Sequence, residues 1–123
     1  MAGGVVHIPY YATALRGDRL EAVLLDTSAM AMRYGATSWQ VHRSRDDRYK
    51  LLQMISFDSK EDFERWWAGR EMVDMRVMTS GWWQVPLLYV WHDLCGAGEV
   101  GDGNGNGNGV PEPAPEPAAD TVA

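Results

Sequence analysis

The chain predicts an α+β fold with ferredoxin-like split βαβ connectivity, and three observations carry that reading. Two segments of helical periodicity each open on a capping signature, Asp18 with Glu21 and Ser59 with Asp62. Four segments dense in Val, Ile, Leu, Tyr and Trp flank them as strand candidates. Their order is β-α-β-β-α-β, and right-handed crossovers then place the strands 4-1-3-2 with both helices on one face.

Each element has its own justification. Residues Val5 to Ala14 (VVHIPYYATA) form the first strand, with Pro9 inside it marking an edge position or a bulge. Gly17-Asp18 breaks it, and Leu20, Val23, Leu24, Thr27, Met30, Ala31 and Tyr34 keep helical spacing up to a stop at Gly35. In Ala36 to Arg45 the residues Trp39, Val41 and Arg43 alternate with Ser38, Gln40 and His42, a strand pattern. Asp46-Asp47 is a polar turn, and Tyr49 to Phe57 is the return strand of a hairpin. The second helix opens at Ser59, carries Phe63, Trp66, Val73 and Val77 on one stripe, and stops at Ser80-Gly81. Trp82 to Asp93 is expected as one long strand with little solvent on either face. Apolar strand residues such as Val5, Leu51, Leu52, Ile55, Leu87 and Leu88 occur at both parities, so the sheet face away from the helices is also apolar in part. Such a face needs a cover, which points to a homodimer packed sheet to sheet.

Bulk composition bounds the function. The 123 residues suit one domain (1–95) and an appendage (96–123), and 46% hydrophobic content is ample for a core. The appendage runs GAGEVGDGNGNGNG and then VPEPAPEPAADTVA, compositions that suit a disordered tail. It holds Glu99, Asp102, Glu112, Glu116 and Asp120 with no Lys or Arg, which leaves residues 1–95 near neutral and without a nucleic-acid footprint. No apolar run approaches the ~20 residues that span a membrane. The opening residues lack a basic start and a long apolar centre, so no signal peptide is expected. Cys95 is the only cysteine, which is compatible with a reducing cytoplasm.

The element order and the run FERWWAGREMVDMRVMTSGWWQVPLLYVW (63–91) resemble the antibiotic biosynthesis monooxygenase-like family of dimeric α+β barrels over residues 5–94. That resemblance implies a homodimer with facing sheets and a ligand pocket between helices and sheet. Members of the family include cofactor-free oxygenases of aromatic polyketides and quinols, and haem-degrading enzymes. The haem-degrading branch carries an Asn on the first strand and a Trp and a His on the second helix. Here Trp66 or Trp67 matches the Trp, but Arg76 lies ten residues on from Trp66, that helix holds no His, and the first strand has no Asn. Haem degradation is therefore not expected, and no cofactor is assigned.

Chemistry centres on His7 and His92, which lie on strands that are antiparallel neighbours in the 4-1-3-2 sheet, about 5 Å apart. A neutral imidazole suits removal of a phenolic proton, after which the electron-rich ring can itself reduce dioxygen. The plainer reading is that these histidines hydrogen-bond or line the dimer interface. His42 is expected at the same sheet end, and three His on three strands give no compact metal site. Trp66 and Trp67 diverge by ~100° on a helix, so one packs on the sheet and the other meets a pocket mouth or partner. Trp39, Trp66, Trp67 and Tyr11 are the candidate pocket walls, and Arg70 the candidate ligand for a phenolate, although Asp74 offers it a plain ion pair. Arg43, Arg45, Arg48 and Lys50 surround the hairpin turn among carboxylates, a solvated tip. The expectation is a cofactor-independent monooxygenase-like protein for a small aromatic or quinol-type molecule. The alternative is a non-catalytic dimeric binding module with the tail as tether.

Overall fold

A computed structural model describes residues 3–100. The elements are β1 (Gly4–Tyr11), α1 (Gly17–Ala31), a 3₁₀ turn (Met32–Tyr34), β2 (Ala36–Arg43), β3 (Lys50–Phe57), α2 (Lys60–Trp67), α3 (Arg70–Met78) and β4 (Val90–Asp93). The sheet order is β2-β3-β1-β4, all neighbours antiparallel, which is the 4-1-3-2 arrangement read from the other edge. The α+β, ferredoxin-like fold expected from the residues is the one observed.

Two of the expected boundaries follow from local chemistry. The Ser59 hydroxyl accepts the Asp62 N–H at 3.2 Å and caps α2. Gly35 ends the first helical segment at φ 101°, a conformation open to glycine at little cost. Asp18, however, does not cap α1. The cap position is Arg16, without a side-chain bond, and Asp18 sits inside the first turn where it pairs with Arg43 at 2.7 Å.

The second helix is not one helix. It divides at Ala68-Gly69, where Gly69 is extended (φ −70°, ψ 162°), and α3 starts afresh at Arg70. Gly69 passes so close to α2 and the 3₁₀ turn that a Cβ there would stand 2.8 Å from the Tyr34 hydroxyl and 3.0 Å from the Arg65 carbonyl. The break rotates the stripe. Met72 and Met75 enter the core, whereas Val73 and Val77 are 41% and 73% exposed.

The long final strand is also corrected. Only Val90–Asp93 pairs along β1. Before it, Trp83 makes a single bridge to Ala12, and the Gln84 N–H reaches the Tyr11 carbonyl. Pro86 has no N–H to give a ladder, and Val85 and Leu88 are 78% and 64% exposed. Residues 96–100 have no regular structure, and the remainder of the expected tail lies outside the described residues.

Strand alternation sorts the side chains between two faces. Val6, Ile8 and Tyr10 of β1 and Leu51, Gln53, Ile55 and Phe57 of β3 are buried under the helices. Leu20 and Leu24 of α1, Phe63 and Trp66 of α2, and Met72 and Met75 of α3 cover them. One buried polar chain crosses this core. The Tyr10 hydroxyl donates to Gln53 Oε1 (3.0 Å), and Gln53 Nε2 donates to Ser28 Oγ (2.8 Å). Nearby, the Trp66 indole N–H donates to the Thr27 carbonyl (3.2 Å). Replacing Gln53 with Leu strands the Tyr10 hydroxyl in the core, so urea unfolding should show a loss of about 2 kcal/mol. Adding Tyr10→Phe should restore part of that loss, because the orphaned group is gone.

Candidate functional site

The register lays out the uncovered sheet face as a grid. One row is His42–Leu52–Pro9, the next Gln40–Met54–His7–Val90, and the third Ser38–Ser56–Val5–His92. Tyr11 and Lys50 face each other one step beyond the first row. All three histidines therefore share the face away from the helices, a point that sequence alone left open.

His7 and His92 come together. They are diagonal neighbours, since His7 stands opposite Val90 and His92 opposite Val5, and their ring centroids lie 4.1 Å apart. Burial, and secondly the adjacent His92 ring, hold the His7 pKa below the ordinary 6.5, so the neutral base is favoured. His42 does not join them at the same end. Because β1 and β2 run parallel on either side of β3, the end of β2 lies level with Pro9, across Leu52, and away from His92. Its Nε2 lies 2.7 Å from Gln40 Oε1. Tyr11 shares the histidine face, and its hydroxyl donates to Asp47 Oδ2 at 2.9 Å, which raises its pKa.

The other candidates stand elsewhere. Trp66 is fully buried between helices and sheet. Trp67 is half-buried, stacked on Phe63, with the Arg76 guanidinium 4.3 Å from its ring centroid. Trp39 lies on the helix side of edge strand β2, opposite Ile55. Arg70 is exposed at the start of α3 and approaches Asp74 at 3.9 Å. The structure thus gathers His7, His92, His42 and Tyr11 on one face and leaves Trp39, Trp66, Trp67 and Arg70 on the other.

Empty space follows the same division. A cleft of about 720 Å³ lies on the open face at the end of β1, lined among others by Pro9, Tyr11, His42, Lys50, Leu52 and Pro86. A smaller one, about 370 Å³, lies between α1 and α3. Under the helices, Phe57, Phe63 and Trp66 pack with centroids 5.9–6.2 Å apart and fill the space. Sequence reasoning missed Lys50, Met54 and Pro86 as cleft and face residues, and named Leu52 only among the apolar strand residues. Period-2 alternation in KLLQMISF could have flagged Lys50 and Met54, but only once the register was known; Pro86 lies outside that run. Among the described residues, no three His, Cys, Asp or Glu side chains gather as a metal site, and no helix is long and apolar enough to cross a membrane.

No family model matches the chain, and no curated protein does. Solved structures do. A provisionally named antibiotic biosynthesis monooxygenase from Nitrosomonas europaea superposes with a TM-score of 0.69 at 12% identity, over 76% of this chain and 90% of that one. One from Chloroflexus aurantiacus gives 0.67 at 17%, over 81% and 100%. One from Deinococcus radiodurans gives 0.68 at 12%, over 79% and 97%. The chain has the fold of these antibiotic biosynthesis monooxygenase-like structures. At such identities the likeness concerns the backbone, and the site rests on this chain's own residues.

Imidazole titration by NMR should place the His7 midpoint below 6.5. His92→Gln should raise it only part of the way, because burial is the larger cause. A depressed pKa in the folded state means that this contribution to stability is present above 6.5 and lost as pH falls through the His7 value, so His7→Gln should flatten the acid side of the stability profile.

Proposed function

We propose that the chain is a homodimeric, cofactor-independent monooxygenase-like protein that takes a small aromatic or quinol-type molecule on its open sheet face. The observation that carries this reading is the His7–His92 pair, 4.1 Å between rings and set among Val5, Met54 and Val90. A base kept neutral near pH 7 and half-sheltered by apolar side chains suits abstraction of a phenolic proton. The resulting anion is electron-rich enough to reduce dioxygen. With an anthrone-type ring, one oxygen atom then becomes a ring carbonyl in place of CH₂, and the other leaves as water. The partly apolar face supports the dimer too, since a second sheet laid over it would enclose the pair and exclude water from the chemistry.

One observation favours a second reading, a non-catalytic dimeric binding module. The space under the helices is filled by Phe57, Phe63 and Trp66, and the histidines lie outside it, on the open face. Oxygen uptake with a panel of anthrones and hydroquinones separates the two. Turnover should fall about 100-fold or more in His7→Gln, in the range typical of losing a general base, while light scattering still gives twice the chain mass. Binding without oxygen uptake in the wild-type protein would establish the module instead, and a monomer in solution would remove the enclosed site altogether.

A further inference from the structure

We infer that the cleft at the Tyr11–Lys50 end of the open face recognises an acidic group. In this arrangement Lys50 binds a carboxylate carried by an aromatic ligand whose rings lie over Leu52 and Pro9. The cleft lining holds three basic side chains, His42, Arg43 and Lys50, and no carboxylate. Two of the three are engaged. Arg43 Nη1 is held by Asp18 (2.7 Å) and Glu21 (2.9 Å), and its Nε donates to the Arg48 carbonyl (2.7 Å). His42 is turned to Gln40. The hairpin carboxylate beside the cleft, Asp47, is occupied by the Tyr11 hydroxyl and the Tyr49 N–H (3.1 Å). Lys50 has no ion-pair partner among the described residues.

A free ammonium at the rim of an apolar concavity selects a ligand with an anion at one end and flat apolar surface behind it. The register sets the length. Tyr11, opposite Lys50, is four residues along β1 from His7, or ~14 Å of extended strand. With the reach of the lysine stem, that span fits a two- or three-ring acid running from Lys50 toward the histidine pair. The direction toward His7 rests on the function proposed above; the acid preference of Lys50 does not.

The test is calorimetric titration of anthraquinone-2-carboxylate against its uncharged carboxamide, with the full chain. The wild-type protein should bind the acid about tenfold more tightly than the amide, as a charge-assisted hydrogen bond provides. Lys50→Met keeps the apolar stem and should bring the acid down to the affinity of the amide, with the amide unchanged. Lys50→Arg should keep the preference and guards against a mere folding defect. Equal binding of acid and amide by the wild type, an acid affinity untouched by Lys50→Met, or no binding of either probe would overturn the inference. Oxygen uptake is read separately. Lys50-dependent binding without turnover would remove the monooxygenase reading and leave this one standing.

Discussion

The chain of hydrogen bonds from Tyr10 through Gln53 to Ser28 locks β1, β3 and α1 into one register, and every functional assignment depends on that register. A strand has a side-chain period of two, so a one-residue slip of β1 would carry His7 under the helices and expose Ile8. Burying a hydroxyl and an amide is costly unless each finds its partner, and only one register supplies both. The polar chain therefore contributes specificity more than net stability. Arg43 repeats the device at the sheet edge, where its half-buried guanidinium joins β2 to Asp18 and Glu21 of α1.

The two sheet faces have separate tasks. Beneath the helices, aromatic rings and two methionines occupy the volume, and the Trp66 indole reaches the Thr27 carbonyl, so the tryptophan is positioned as well as packed. The break at Gly69 makes this possible, because it turns α3 until Met72 and Met75 face inward. On the open face the side chains are a mixture of Val, Pro, Leu and Met with His, Gln and Ser, a composition suited to neither plain solvent nor a sealed core. The depressed pKa of His7 is a consequence of that half-sheltered setting.

Much of the fold was legible from the residues. The Ser59 cap, the Gly35 stop and the alternation of Trp39, Val41 and Arg43 with Ser38, Gln40 and His42 are local signals, and each appears where the pattern placed it. What the sequence hid was non-local. A single Gly inside WWAGRE costs a helix only about 1 kcal/mol, too little to announce a break that depends on Tyr34 packing against it. The run Trp82 to Asp93 is rich in strand-forming residues, yet Pro86 and its exposed neighbours leave the sheet, and beyond the single Trp83 bridge only the last four residues pair. The His7–His92 pairing followed from strand order, whereas the face they share required the register. Lys50 lay in plain view as a hairpin-tip charge, and only its place opposite Tyr11 gives it a cleft.

The open face, and not the space under the helices, is the proposed ligand site. Methionine methyl NMR tests it most directly, since Met54 belongs to the open face while Met72 and Met75 lie in the covered core. Titration with a ring ligand such as anthraquinone-2-carboxylate should shift the Met54 methyl and leave those of Met72 and Met75 in place. Shifts at Met72 and Met75 with Met54 unmoved would contradict this placement, because the ligand would then have opened the core that the structure shows filled.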